Sequence, residues 1–264
     1  MPELPDVEGF RRILDSCGRG RQIEKVQVTD PGVLHGVSAG RLRRALEGRR
    51  LTAPGRHGKW LIARTEGGPA LLLHFGMTGQ LLCRAPDDPP HRYDRVRLDL
   101  GGQHGLRYRD QRKLQGLWLA ASAADVEHVL AGQGPDALSV DRETFRDLLA
   151  GRRATVKAVL MDQSALAGLG NLLSDEILWR ARLHPARPAN GLTYDDSRAL
   201  HSVMRRTLRL SVRAGRVPDR RSWLTGHRND AHPRCPRCHG PLRSGRIAGR
   251  TTVSCPHCQG GDPP

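Results

Sequence analysis

Apolar positions recur at helical spacing at the start of the chain. Val7, Phe10, Ile13, Leu14 and Cys17 share one face of a helix over 5–17, and Gly18 supplies the stop. From 22 to 119 the pattern changes to short apolar runs broken by Gly, Pro and Asp, clearest at 23–28, 60–63, 70–75, 96–100 and 117–120. Runs of that length between turn residues predict strands, and so many strands predict a sandwich or a barrel. A short helix over 42–47 interrupts them. After Ala121 helical spacing returns. Asp141 can cap a helix that ends at Gly151, and another covers 155–162. The stretch 164–170 is too glycine-rich to continue it; a helix resumes near Asn171 and stops before His184 and Pro185. A long helix over 194–214 carries the stripe Leu200, Val203, Met204, Leu208 and Val212. No internal repeat is evident, and the tail after Gly260 is expected to be disordered.

Composition adds a partner to this picture. The 264 residues hold 43 Lys and Arg against 27 Asp and Glu, a formal charge of +16. That excess calls for a polyanion. Only Lys25, Lys59, Lys113 and Lys157 are lysines, and arginine's planar fork suits bidentate contacts to phosphate. Arginine-biased codons would explain arginine over lysine but not the excess over acids. No apolar run reaches the ~18 residues of a membrane span. No basic segment followed by an apolar stretch opens the chain, so no secretory signal is expected. A cytosolic location is the expectation.

Four of the six cysteines form two CxxC pairs, Cys235 with Cys238 and Cys255 with Cys258. Four thiolates so spaced can close a tetrahedral shell around one structural zinc ion. A redox pair or two disulfides are the rival readings, disfavoured in a cytosolic chain. Arg246–253 flanks Gly249 and Arg250 with strand-like residues, so a hairpin fits there. Cys17 and Cys83 stand alone in apolar settings and do not read as a disulfide framework.

Two further features carry chemistry. Gly168 and Gly170 allow close backbone approach in a turn between helices, and Asn171 opens a helix whose free N–H groups favour a phosphate. An ordinary helical corner is the plain alternative. At the amino end, removal of Met1 would leave Pro2 as a secondary amine able to attack a sugar carbon and form an iminium. An α-amino group has a pKa of about 7.7–8.0, so part of it is neutral at pH 7. Glu3 beside it could move protons. Many chains begin Met-Pro with no such chemistry, so Pro2 gains its weight only from its company.

Together these pieces resemble the formamidopyrimidine-DNA glycosylase and endonuclease VIII family from the first residue to Cys258. The opening is similar to Pro-Glu-Leu-Pro-Glu-Val-Glu, with Asp6 for the second Glu. Gly58-Lys59-Trp60 resembles the segment with the family's lysine, and His74 to Gly79 resembles its His-Leu-Gly-Met-(Ser/Thr)-Gly. The stretch 157–185 resembles the helix–two-turn–helix element, and the four cysteines match the family's zinc finger with Arg250 at its tip. The resemblance implies an α+β chain. An N-terminal β-sandwich domain with flanking helices covers 1–121, and a linker covers 122–140. A helical domain with the helix–two-turn–helix covers 141–230, and a zinc-finger hairpin covers 231–260.

It also implies a monomeric bifunctional enzyme of base excision repair acting on double-stranded DNA with damaged bases or abasic sites. Pro2 would displace the base and form the Schiff base. Glu3 would move protons, Lys59 would hold a phosphate, and β,δ-elimination would cut the strand. Lys157, Asn171 and Arg250 would clamp the kinked backbone. Met77, Arg112 and Leu114 would fill the gap left by the flipped base. Glu176 and Asp6 would border the lesion pocket.

Two departures bear on substrate. Leu114 stands where the family commonly has a phenylalanine wedge, and Gln111 replaces a proline. The stretch 216–226 is shorter than, and unlike, the glycine-rich lid that closes on 8-oxoguanine in the formamidopyrimidine branch. Oxidised pyrimidines, ring-opened purines or abasic sites are therefore the expected substrates. The rival functions are an abasic-site lyase with little glycosylase activity and a non-catalytic zinc-containing protein that binds damaged DNA. An RNA-binding zinc ribbon is disfavoured, because aromatics are only 4% of residues and no stacking pair is evident.

Overall fold

The computed structural model describes residues 1–260; the expectation for the tail falls outside them. Two compact units make up the chain. One holds Met1, Pro2 and residues 6–132; the other holds Glu3–Pro5 and the residues from Gln133 on.

The first unit is a sandwich. β1 (Lys25–Val28), β7 (Asp94–Asp99), β8 (Gly105–Arg109) and β6 (Gln80–Arg84) form an antiparallel sheet in the order β1-β7-β8-β6. The second sheet runs β2-β9-β5-β4-β3, from β2 (Leu34–His35), β9 (Leu117–Ala120), β5 (Ala70–His74), β4 (Trp60–Arg64) and β3 (Gly55–His57). Side chains alternate between faces along a strand. On β4, Leu61 and Ala63 therefore join the main core with Val96, Leu106 and Tyr108, while Trp60 and Ile62 face the other way. Helix α1 (Leu4–Gly18) adds Val7, Leu14 and Cys17 to the core, and α2 (Ala39–Leu46) adds Leu42 and Leu46. The Ser38 side chain caps α2 by accepting from the Arg41 N–H. Helix α3 (Ala123–Leu130) covers the outer face of the second sheet with Val126, Val129 and Leu130. It lies inside the stretch read from sequence as a linker.

Cys17 and Cys83 are joined in a disulfide, with Cα atoms 6.1 Å apart. This corrects their reading as lone cysteines. Packing of the end of α1 against β6 brings together two residues 66 positions apart, which no local pattern announces. A loop of that size implies about 4 kcal/mol of stabilisation. Cys17→Ser is expected to cost that much in urea unfolding of oxidised protein, and nothing further once reductant is added.

The second unit is helical: α4 (Arg142–Ala150), α5 (Val156–Met161), α6 (Asn171–Ala181) and α7 (Tyr194–Ala214), followed by the hairpin β10 (Arg243–Ile247) and β11 (Arg250–Ser254). The caps explain the boundaries. Asp141 accepts from Thr144 N at the start of α4, Thr193 and Asp196 form a capping box on α7, and Gly215 ends α7 in the left-handed conformation. Leu200, Met204 and Leu208 of α7 pack with Leu173 and Ile177 of α6 and Phe145 of α4. Ala248 and Gly249 both have positive φ at the hairpin tip and leave Arg250 exposed. Trp179, Leu224, Leu242 and Val253 pack beside Cys235 and Cys255.

Candidate active site and metal centre

The first turn of α6 is an anion site, and its occupant is Glu3. Its carboxylate accepts from Gly170 N (2.9 Å), Leu172 N (2.8 Å) and Leu173 N (3.2 Å). These are the free amides of a helix N-terminus, where a negative charge is also favoured by the helix dipole. The sequence reading gave this place to a phosphate; the chain's own glutamate holds it. The glycines serve the same approach. A Cβ on Gly170 would lie 2.4 Å from Cδ of Glu3, and one on Gly168, at φ +117°, would lie 2.6 Å from Leu4 Cδ1. Leu4 N donates to Gly168 O at 3.0 Å, and Leu4 is fully buried. Glu3 is thereby fixed as a buried hydrogen-bond acceptor directly after Pro2 in the chain.

Lys157 is wholly buried, not displayed to a backbone. Its ammonium lies 2.6 Å from Asp175 Oδ1 and donates to Thr252 Oγ1 at 2.7 Å. Burial pulls its pKa below the ordinary lysine value, and the Asp175 charge opposes that. The expected direct phosphate contact is therefore replaced by a structural one: Lys157 ties α5 to the cysteine hairpin. Asp175 is the hub, since Arg228 pairs with it and Val253 N donates to it at 3.1 Å. Asn171 Nδ2 donates to Thr251 O at 2.9 Å, so this residue too holds β11. Its half-buried side chain sits beside the exposed Arg250 strand.

Glu176 is fully buried. It accepts from Arg180 Nε at 2.7 Å and Thr225 N at 3.1 Å. Burial pushes its pKa up, with Arg180 opposing. It thus anchors the segment after α7. Trp223 and Leu224 of that segment are buried, and the Arg180 guanidinium lies over the Trp223 ring at 4.3 Å. Gly226 is required there, because a Cβ would meet Arg220 O at 2.1 Å.

In the first unit, the loop after β8 and the motif after β5 converge. Arg112 Nη1 lies 3.0 Å from Met77 Sδ. Buried Asp110 sets this up by accepting from Thr78 Oγ1 and from Arg112 N, the latter at 3.1 Å. Lys113 adopts φ +52°, and Leu114 beside it is 51% exposed, so it is not a core residue. Lys59 occupies the two-residue turn between β3 and β4, and is 8% exposed. Its charge acts on His74, whose pKa is held down at about 4, first by burial and then by Lys59. His74 Nδ1 accepts from Gly76 N at 3.2 Å, which places the neutral ring's hydrogen on Nε2. Pro2 is half-buried, and Asp6 is half-buried in the first turn of α1.

The four remaining cysteines converge. All their sulfurs lie within 4.8 Å of one another, with Cys235 to Cys258 at 3.8 Å and Cys238 to Cys255 at 3.5 Å. Four bonds of about 2.3 Å to one ion set tetrahedral edges of about 3.8 Å, so the set fits a metal. Trp179 Nε1 donates to Cys235 Sγ at 3.3 Å, and Cys258 N donates to Cys255 Sγ at 3.4 Å. Such N–H donors suit thiolate ligands.

The model of the formamidopyrimidine-DNA glycosylase N-terminal domain matches residues 1–117, and that of the family's H2TH domain matches 132–220. The formamidopyrimidine-DNA glycosylase of Heliobacterium modesticaldum is 36% identical, covering 98% of this chain and all of its own. The chain belongs to this glycosylase family. The Nocardioides glycosylase is also 36% identical, over 98% of the chain and 94% of its own. A solved structure of a Lactococcus lactis family member with DNA containing a formamidopyrimidine-dG lesion superposes with a TM-score of 0.90. Its identity is 27%, over 98% of this chain and 100% of its own. The same bacterium's enzyme with abasic-site DNA gives a TM-score of 0.87 at 28% identity, over 98% of this chain and 100% of its own.

The family is one of bifunctional DNA glycosylases and abasic-site lyases in base excision repair, and its double-stranded substrate accounts for the charge of +16. Among the described residues no helix is long and apolar enough to cross a membrane. Sequence reasoning assigned no role to His74, Asp110, Asp175 or Arg228. His74 stood in a quoted motif, and its neighbour Lys59 was the available signal. Asp110 carried no local sign that it would be a buried hydrogen-bond acceptor, nor Asp175 that it would be buried between Lys157 and Arg228.

Proposed function

We propose that this chain removes ring-opened or oxidised bases and then cleaves the abasic strand, with Pro2 as nucleophile and Glu3 as its proton partner. The Glu3 carboxylate, pinned by three N–H groups directly after Pro2, is the observation that carries the reading. Once Met1 is removed, the Pro2 nitrogen attacks C1′ and the C1′–base bond breaks. The nitrogen loses its proton, and the iminium forms as the sugar ring opens. Glu3 takes up and returns the protons of these steps. Loss of a C2′ proton then expels the 3′ phosphate, and a second elimination expels the 5′ phosphate.

Lys59 and the neutral His74 would hold phosphate near the lesion. Met77, Arg112 and the exposed Leu114 would occupy the gap left by the flipped base; a leucine supplies apolar bulk without the stacking of an aromatic ring. Asn171 and Arg250 would contact the backbone on the hairpin side, with Lys157 supporting them from within. Asp6 and Glu176 would shape the lesion side, Glu176 by fixing Thr225. The packed segment 218–227 favours ring-opened purines, oxidised pyrimidines and abasic sites over 8-oxoguanine. The four cysteines would hold one structural zinc ion, and the enzyme would work as a monomer on DNA in the cytoplasm.

Borohydride reduction on abasic-site DNA tests the nucleophile. A covalent complex is expected with the native enzyme and a strongly reduced one with Pro2→Gly, which keeps a primary amine. No complex, or one undiminished in Pro2→Gly, would overturn the assignment. Chelation tests the metal: it is expected to abolish binding to abasic-site duplex while the thermal transition of the sandwich persists. Unchanged affinity after metal removal would show that the finger does not serve DNA.

A further inference from the structure

A second basic surface lies on α7. Arg205, Arg209 and Arg213 follow one another at one-turn spacing, with Arg206 beside them and Arg142 of α4 opposite. They line a groove of about 630 Å³. No ion pair to any of these five arginines is found among the described residues. Asp141 also borders the groove, but its carboxylate is spent on Thr144 N and Oγ1 at 2.9 and 2.8 Å, capping α4. His201 contacts Val140 O at 3.0 Å. One guanidinium nitrogen, Arg205 Nη1, is buried without a hydrogen-bond acceptor. The groove's own side chains thus leave this guanidinium nitrogen without an acceptor.

The groove shares no residue with those placed at DNA above. The hairpin packs on α6, whereas the groove lies where α7 meets the start of α4. A further feature separates it from a bare phosphate track: Leu210, 41% exposed, and Val140 are in its lining. The phosphate oxygens of a nucleic-acid backbone would pair with the arginines and leave Leu210 uncovered. A peptide offers both carboxylates, which match arginine forks bidentately, and a side chain that covers Leu210.

We propose that this groove docks an acidic segment of a partner protein, with carboxylates on Arg205, Arg206 and Arg209 and one apolar residue against Leu210. The probe is a fluorescein-labelled dodecapeptide of Asp and Glu with one central Leu, measured by anisotropy in about 0.15 M salt, where exposed charges beyond ~8 Å are screened. Binding is expected for the native enzyme, with affinity lowered about tenfold or more, at least 1.4 kcal/mol, in Arg206→Glu/Arg209→Glu. Leu210→Ser, and the peptide with Ser for Leu, should each bind less tightly. Arg41→Glu/Arg44→Glu on α2 makes the same charge change elsewhere and should leave peptide affinity intact. Incision of abasic-site duplex should be the same in all these variants. Equal loss in the α2 pair would reduce the groove to bulk charge and overturn the proposal. So would no binding by the native enzyme, or indifference to Leu in peptide or groove. Loss of duplex affinity in Arg206→Glu/Arg209→Glu without any peptide binding would make it a nucleic-acid surface instead.

Discussion

Glu3→Gln is expected to slow release of a damaged base by about 10²–10⁴-fold, the usual worth of a positioned acid or base. The substitution keeps the shape and removes the ability to take a proton. It also disturbs the seat. Two carboxylate oxygens accept from three amides in the native chain, at 2.8–3.2 Å. An amide side chain presents one oxygen, so at least one buried N–H loses its acceptor, at about 1–3 kcal/mol. Trapping on preformed abasic-site DNA should survive far better than base release. There the base has already gone and the sugar already opens to an aldehyde, so the Pro2 amine needs less help. Equal loss of both activities would mean that Glu3 acts only by holding the amino end in place. Gly170→Ala provides the complementary check, since its Cβ would displace the same carboxylate from 2.4 Å away without changing its chemistry.

What could be read from the chain followed the range of each signal. The helices α1 and α4 to α7 were legible because their stripes and caps are local: Asp141 before α4 and Gly215 after α7 sit within a residue of where the pattern stops. The strands were legible as runs, but the order β1-β7-β8-β6 was not, since pairing between distant strands leaves no mark in either alone. Helix α3 was missed because a single helical turn of Val126, Val129 and Leu130 is too short a pattern to outweigh its polar flanks. At the site, the anion-binding end of α6 was legible from Gly168, Gly170 and Asn171. Its occupant was not, because Glu3 lies 167 residues from Gly170. The disulfide failed for the same reason. The cysteine shell succeeded because two CxxC pairs state their spacing locally, and only one pairwise encounter was left to the fold.

Lys157→Met should destabilise the second unit by about 3–5 kcal/mol, because it strips one partner from a buried ion pair and leaves Asp175 short of charge. Lys157 and Asp175 are 0% and 1% exposed, so water cannot compensate. Arg228 still pairs with Asp175, which holds the loss below that of an isolated buried carboxylate. The consequence should reach DNA binding without any contact to DNA. Lys157 donates to Thr252, while Arg228 and Asn171 both donate to Thr251 O; these are the residues that follow Arg250 on β11. Loosening them unseats the arginine that the hairpin presents. Arg250→Ala makes the contrast. It should weaken binding to abasic-site duplex and lower the slope of log affinity against log salt by about 1, as loss of one phosphate contact does. Its urea midpoint should not move. In Lys157→Met both affinity and midpoint should fall, and Lys157→Met/Asp175→Leu, which removes both charges, should recover much of the midpoint. A Lys157→Met protein of native stability that binds DNA with one phosphate contact fewer would return this lysine to the DNA surface.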